Sequence, residues 1–312
     1  MKRIFFIYCL AVLTMILTQS CSAKSSESHS AENTSFLAFN GNYHEEIIKP
    51  ELQSWLKVAK VMYPRVCDDT ETQWAASLVD SLGNDLMKRD DLPVGEQIAR
   101  LYEIQDIVAY GMSYFGAVIG SYTNPQASAD AMNIIRDTKA DMDSLKTVNY
   151  EAPELLTRFE GATYYNFGLF LELAFHHGED LPDYVIDNQQ MQQRNYAMIS
   201  QLFKQLKDKT QAYRYSYIVN NTTFFMTFCP MTYLLATPDF QEKHMNEYIE
   251  MGGYFDSLFS PVKDKMTGNQ ASTLPILTDD EFSKILRESS RIRTIMIDLL
   301  ANGISTLKDA DQ

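Results

Sequence analysis

The sequence predicts an all-α fold, a multi-helix bundle of about eight to nine helices within a single globular domain. Apolar residues recur at spacings of three and four along most of the chain, which is the period of an amphipathic helix. Capping boxes and prolines mark several helix starts. The alternating patterns and hairpin turns that indicate strands are absent from the sequence.

The predicted helices follow one another in the chain, most of them with short connections. They cover about 48–62, 70–86, 93–122, 125–145, 152–177, 183–208, 211–236, 238–259 and 278–303. The last begins at the capping box Thr278-Asp-Asp-Glu281, in which the two end residues each satisfy a backbone N–H of the other. Asn124 caps the fourth helix and Pro125 occupies its first position.

The longest predicted loop runs from Ser260 to Leu277 and contains Gly268, Asn269 and Pro275. Loops of this length are uncommon, and some of them act as lids over a binding site. We expect the simpler alternative, which is a mobile surface excursion.

The composition is that of a folded globular protein, with 45% hydrophobic and 22% charged residues in 312. The formal net charge is −14, from 27 basic and 41 acidic side chains. Nucleic acids and anionic lipids both attract cationic proteins. The charge therefore argues against nucleic acid as a partner and against electrostatic adhesion to a membrane.

The N-terminus carries an export signal. Lys2 and Arg3 form a positive start, and residues 4–17 form an apolar stretch that is too short for an ordinary membrane span. The sequence continues Thr18-Gln-Ser-Cys21, so that a small residue directly precedes the cysteine. This part of the chain resembles the bacterial lipoprotein signal class.

The resemblance implies that residues 1–20 are removed and that lipid on Cys21 anchors the chain to a membrane of the bacterial cell envelope. Ser22 after the cysteine implies the outer membrane. Ordinary signal cleavage without lipidation is the alternative. We expect residues 21–42, which are rich in Ser, Glu and Asn, to form a flexible tether, and residues 43–312 to form the helical domain.

Residues 215–238 carry no charge and contain several phenylalanines and leucines, so a second membrane span is one interpretation. The same stretch contains Asn220, Asn221, Pro230 and several threonines, which make it too polar for an unaided span. A helix that is apolar on most sides usually lies at the centre of a large soluble protein. We therefore predict a buried helix.

Glu172 and His176 are the candidate polar pair, because they lie four residues apart on one face of a mostly apolar helix. A carboxylate oriented against an imidazole can act as a general base or a shared metal ligand. Gly178 follows closely, however, and histidines in a last helical turn complement the helix dipole. We therefore predict a structural pair, and we assign no catalytic residue, metal site or cofactor.

Glu103 and Asp106 form a second carboxylate pair, three residues apart on a predicted helix. Acid–base chemistry on a glycoside needs two carboxyl groups that face each other across a cleft, which one helix does not supply. We expect this pair to face solvent or to bind Arg100.

Glycines recur within two predicted helices, at Gly111, Gly116 and Gly120 and again at Gly161 and Gly168. A glycine inside a helix costs about 1 kcal/mol, so such positions need a packing reason. We expect close helix contacts there, with space for a ligand as the alternative.

Aromatic residues make up 12% of the chain and cluster in two predicted helices. Tyr164, Phe167 and Tyr215 are the candidates for lining a pocket for a sugar, peptide or lipid, although aromatics at helical spacing more often form core. Cys67 and Cys229 remain after the signal. They either form a disulfide in an oxidising compartment or are buried separately.

These patterns favour an envelope-anchored lipoprotein that acts as a binding or assembly component, with the membrane as one partner and an unidentified protein or small ligand as the other. A helical lipoprotein that binds a sugar, peptide or lipid is the alternative. An enzyme using Glu172 and His176 is the third hypothesis, and it requires a deep pocket around that pair.

Overall fold

The computed structural model describes residues 39–65, 70–145, 181–235 and 238–306, together with 166, 168–170, 172–174 and 178. All regular elements within these ranges are helical, and the ranges contain no strand. The all-α prediction is therefore confirmed.

The described ranges contain eight α-helices, which we number in chain order. They are α1 (Lys49–Met62), α2 (Thr70–Leu86), α3 (Val94–Ser121), α4 (Pro125–Leu145), α5 (Leu181–Gln205), α6 (Lys209–Leu235), α7 (Pro238–Thr267) and α8 (Asp279–Thr306). A π-helical turn, His44–Ile48, leads directly into α1, and short 3₁₀ turns lie at Tyr63–Arg65 and Ala271–Thr273.

Four helices run in the same direction through the bundle: α1, α3, α6 and α8. Contacts between α1 and α8 advance together along both helices, from Glu51 with Arg293 to Lys57 with Asp298. Hydrogen bonds between α6 and α8, and between the two ends of α1 and α3, advance in the same way. The N-termini of the four helices therefore meet at one end, where residue 39 leads into the fold. We call this the proximal end and the opposite end the distal end.

Acidic side chains accumulate at the proximal end for a physical reason. The first turn of the π-helical segment contains Glu45 and Glu46, and that of α3 contains Glu96. The first turn of α8 contains three acids in a row, Asp279 to Glu281. A helix N-terminus carries a partial positive charge, so carboxylates are stabilised beside it. The starts of α1, α3 and α8 therefore place carboxylates at the proximal end, whereas the first turn of α6 contains none.

At the distal end, glycines allow the helices to pack closely. A Cβ built on Gly116 would lie 2.9 Å from Phe170 Cα, and one on Gly120 would lie 3.0 Å from the Leu173 carbonyl oxygen. These distances leave no room for a larger residue on α3. Close helix packing is therefore confirmed at both glycines.

Gly178 ends the helical stretch before α5, as the sequence predicts. Its φ of 71° lies in the left-handed region, which glycine adopts without strain. Its N–H donates to the carbonyl oxygen of Glu172 at 3.0 Å, six residues back, and so satisfies a carbonyl group near the end of the preceding helical residues.

The uncharged stretch forms most of α6, and the buried-helix prediction is confirmed. Several of its polar side chains are satisfied within the helix, because Ser216, Thr222 and Thr223 donate to carbonyl oxygens four residues earlier. Asn221 likewise donates to the Tyr217 carbonyl oxygen. None of the helices in the described part of the chain is both long enough and apolar enough to cross a membrane.

The predicted loop from Ser260 is wrong in its first half. Helix α7 continues through Pro261 to Thr267, so the irregular connection covers only residues 268–278. A proline inside a helix removes one hydrogen bond and favours a break. Val262 and Met266 beyond it are buried, at 1% and 6% exposure, and this packing keeps the last turns helical.

Candidate functional site

The structure tests only part of the predicted site. Glu172 is buried, with 5% of its surface exposed, which agrees with a carboxylate inside an apolar helix. His176 lies outside the described residues, so whether the pair forms stays a prediction. Cys21, Cys67, Tyr164 and Phe167 also lie outside the described residues.

The two remaining candidates are both buried in α6. Tyr215 donates from its hydroxyl to the carbonyl oxygen of Pro275, so it holds a connecting segment in place. Burial, with a smaller contribution from Glu281, raises the pKa of Tyr215 to about 12. Cys229 is 3% exposed in the core. Pairing with Cys67 and separate burial of the two cysteines both stay open as alternatives.

The expected solvent exposure of the Glu103 and Asp106 pair is wrong for Asp106, which is only 1% exposed. Arg100 binds elsewhere, at 2.8 Å from Asp85 and 2.8 Å from Glu96. The reason is that α3 is covered on most of its surface by α1, α2 and α4, so its polar residues are buried as well.

A charged cluster that the sequence did not predict lies at the centre of the bundle. Arg293 of α8 forms an ion pair with Glu51 of α1 at 3.2 Å, and both side chains are almost completely buried. The guanidinium also donates to Asn221 Oδ1 and Gln105 Oε1, each at 3.3 Å, and lies 4.4 Å above the Phe224 ring centre. Side chains of four helices thus converge on one arginine.

Most of the residues that surround this cluster are buried as well. The pKa of Tyr43 is raised well above its ordinary value, mainly by burial and further by the nearby Tyr217, Tyr213 and Glu51, whereas Arg293 opposes the rise. A buried ion pair with additional hydrogen-bond partners is compensated within the protein. The arrangement therefore suits a structural role, in which α1, α3, α6 and α8 are held in register.

At the proximal end, side chains of α5 and α6 fix the segment 268–278, which we call the anchored segment. The Gln211 amide pairs with both backbone groups of Leu277, at 2.8 and 2.9 Å. Gln205 accepts from the Ala271 N–H at 3.1 Å and donates to Asn269 Oδ1 at 3.0 Å. Because its backbone is held at several points, this segment is not a mobile excursion or a lid.

Arg214 of α6 also holds the anchored segment against the core. Its side chain is 3% exposed, and its guanidinium donates to the Leu277 carbonyl oxygen and to Asp279. It lies 5.2 Å from the centre of the Phe282 ring, a cation–π distance. The anchored segment is thereby joined to the first turn of α8.

The predicted capping box at the start of α8 is confirmed. The Thr278 N–H and hydroxyl both donate to Glu281 Oε2 at 2.8 Å, and the Glu281 N–H donates back to Thr278 Oγ1 at 3.3 Å. These hydrogen bonds from Thr278 lower the pKa of the Glu281 carboxyl below its ordinary value.

A groove of about 530 Å³ runs beside the anchored segment, and we call it the anchored groove. It is lined by Asp208, Thr210, Gln211, Arg214 and residues 276–280. Ile276 is 77% exposed there, the largest exposure among the large hydrophobic residues in the described ranges. An apolar side chain on a fixed backbone, beside an acidic concavity, is the feature of this groove that suits binding.

The first residues of the fold cross the start of α8 next to this groove. The Asn40 N–H donates to Ser283 Oγ at 2.9 Å, and the Asn40 side-chain amide donates to Asp280 Oδ1 at 2.9 Å. Arg287 donates to the Asn40 carbonyl oxygen and lies 4.6 Å from the Phe39 ring centre. Asp280 therefore belongs both to this crossing and to the wall of the anchored groove.

A second groove, of about 510 Å³, lies on the other side of the crossing, lined by Phe39, Asn42, His44, Leu92 and neighbouring residues. His44 Nδ1 lies 2.8 Å from Gln97 Oε1, and Gln97 in turn donates to the Leu92 carbonyl oxygen. This second bond fixes the orientation of the amide, so Nδ1 of His44 is the donor. The histidine is thus engaged in the protein's own hydrogen bonds.

Neither groove is built around a metal-ligand set: within the described ranges, no three His, Cys, Asp or Glu residues are grouped so that they could hold a metal ion. Comparison of the chain with protein-family models gives no match, and comparisons with curated proteins and with solved structures give none either.

Proposed function

We propose that this chain is an envelope lipoprotein, anchored through lipid on Cys21, whose helical domain acts as a binding or assembly component. The anchored groove is the surface through which it binds a protein partner. The exposure of Ile276 on a rigid segment is the observation that carries the proposal.

Two physical arguments support a protein partner. Burying an isoleucine side chain contributes about 1.5–3 kcal/mol, so an isoleucine left in water is a favourable anchor for a partner. The anchored segment is already ordered by Gln205, Gln211 and Tyr215, so little conformational entropy is lost when a partner binds.

The anchor is tested by labelling cells with a fatty acid. The wild type should incorporate label and sediment with membranes, whereas Cys21→Ala should remain unlabelled and be released. Equal labelling of both proteins would contradict lipidation at this position.

The binding surface is tested by photo-crosslinking in cells. A photoreactive phenylalanine analogue placed at Ile276 should give a discrete adduct of constant mass. Ile249 and Ile186, which are 54% and 52% exposed on α7 and α5, provide matched control positions. The proposed surface is wrong if Ile276 gives no adduct or only the adducts that the controls give.

A further inference from the structure

We propose that the anchored groove binds a basic segment of a partner at the membrane surface, in which lysine or arginine side chains flank an apolar one. This inference rests on the proposed function, since it assigns a partner class to the same groove. Three features of the groove lead to it: its charge, its apolar contact and its position.

The charge of the lining is negative. Asp208, Asp279 and Asp280 are exposed, and Arg214 is the cation among the lining residues. Arg214 is buried and bound to Asp279, so this pair is neutral as a unit, and Asp208 and Asp280 give the lining its net negative charge. The carboxylates at the rim therefore attract a cationic partner and repel an acidic one.

The apolar contact lies between these charges. Leu277 is bonded to Gln211 near the start of α6 and lies two residues before Asp279, at the start of α8. Ile276 beside it points its side chain largely into solvent. A ligand that is only cationic leaves this isoleucine uncovered. A segment with one apolar side chain between basic ones matches both the charge and the apolar surface.

The position of the groove limits its distance from the membrane. Asn40 is bonded to Asp280 on the groove wall, and Cys21 precedes Phe39 by 18 residues, which span at most about 65 Å when fully extended. The distal end lies farther away by the length of α6, about 40 Å for its 27 residues. Lipidation thus concentrates the groove, more than the distal end, around partners at the membrane surface.

The test uses the full lipidated protein in phosphatidylcholine vesicles, whose neutral surface does not attract the probes by charge. The probes are the fluorescent peptides Lys-Lys-Leu-Lys-Lys and Glu-Glu-Leu-Glu-Glu, and Lys-Lys-Gly-Lys-Lys as the control without an apolar side chain. We expect the lysine–leucine peptide to bind most tightly, and its affinity to fall as salt is raised.

Two charge-neutralising changes make the test specific to the groove. Asp208→Asn keeps an N-cap residue at the start of α6, and Asp280→Asn keeps the oxygen that accepts from Asn40. Each change should weaken binding of the basic peptide by about fivefold at low salt. Asp239→Asn with Glu242→Gln, at the distal start of α7, removes the same charge as the two groove changes together and should leave binding unchanged.

The membrane part of the inference is tested by attaching the same basic peptide to a lipid headgroup. Insertion of 40 Gly/Ser residues after Ser30 should weaken capture of the attached peptide roughly sixfold and leave the free peptide unaffected. An unchanged capture contradicts the membrane-surface partner.

The outcomes separate the two proposals. If Ile276 crosslinks to a partner but the acidic and basic peptides bind alike, the inference fails and the proposed function stands. If Ile276 gives no adduct of its own, the proposed function fails whatever the peptides do. Thermal melting of each aspartate variant shows whether it is folded, and either single variant suffices for the comparison.

Discussion

Two buried arginines show how differently the centre and the proximal end of this bundle are built. Arg293 and Arg214 are 2% and 3% exposed, and each guanidinium lies near a phenylalanine ring. The acid bound to Arg293 is itself buried, at 4% exposure, whereas the acid bound to Arg214 is 63% exposed. The first arginine joins core helices, and the second fixes a surface segment to the core.

The difference lies in what remains when the arginine is lost. Without Arg293, Glu51 would keep a charge in an environment of low polarity, far from water. Without Arg214, Asp279 would be hydrated, and the Leu277 carbonyl oxygen would still accept from Gln211. We therefore expect the same substitution to have a global effect at the centre and a local effect at the groove.

The largest effect is expected for Arg293→Ala, which should lower the free energy of unfolding by about 3–5 kcal/mol. Urea unfolding of a Cys21→Ala form, followed by circular dichroism, measures it. Arg291→Ala is the matched control, because Arg291 lies on the same helix, is 55% exposed, and binds the surface carboxylate Glu288. A similar loss in both variants would contradict the special role of the central cluster.

A smaller and local effect is expected for Arg214→Ala. The loss of hydrogen bonds to a charged group should lower the free energy of unfolding by about 1.5–3 kcal/mol. The anchored segment should become accessible, so thermolysin should cleave near Leu274 to Leu277 faster than in the wild type. The Arg293→Ala variant, compared at equal stability, should not share this local cleavage. If it does, the two arginines do not differ as proposed.

The sequence predicted the helical fold because each helix carries its own period and its own end signals. The capping box at Thr278 and the glycine cap at Gly178 are local patterns, and both form as expected. Pro261 misled the prediction, since burial of Val262 and Met266 outweighs a local helix breaker. Packing between residues far apart in the chain cannot be predicted from a short stretch of sequence.

The central cluster and the anchored groove could not be predicted for a related reason. Glu51 and Arg293 are 242 residues apart, and neither belongs to a known motif. One signal was present: Arg293 follows Ile292 and precedes Met296 on the apolar face of the last helix, a position where a charge needs a buried partner. The identity of that partner required the fold.

Glu172 provides an intermediate case, because it is a buried carboxylate whose predicted partner, His176, lies outside the described residues. Glu172→Gln should lower the free energy of unfolding by about 1–3 kcal/mol, as for a buried group that loses its charged hydrogen bonds. His176→Ala should cost less, about 0.3–1 kcal/mol, if the histidine acts mainly on the helix dipole. If both variants melt like the wild type yet reproduce the phenotype of a deletion, the pair is functional and the structural interpretation is wrong.

The smallest expected effect concerns Glu281 in the capping box, and it depends on pH. Hydrogen bonds from Thr278 lower the pKa of this carboxyl in the folded state below its ordinary value of 4.5. A carboxyl with a lowered folded pKa stabilises the protein above its unfolded pKa, and this contribution is lost as the pH falls through the folded pKa. The wild type should therefore melt slightly above Glu281→Gln at pH 7, and the difference should shrink as the pH falls below about 4.5. Glutamine can still accept the cap hydrogen bonds, so the comparison isolates the charge. Melting temperatures of both proteins between pH 7 and pH 3 measure the effect, and a difference that stays constant over this range would assign it to packing instead of ionisation.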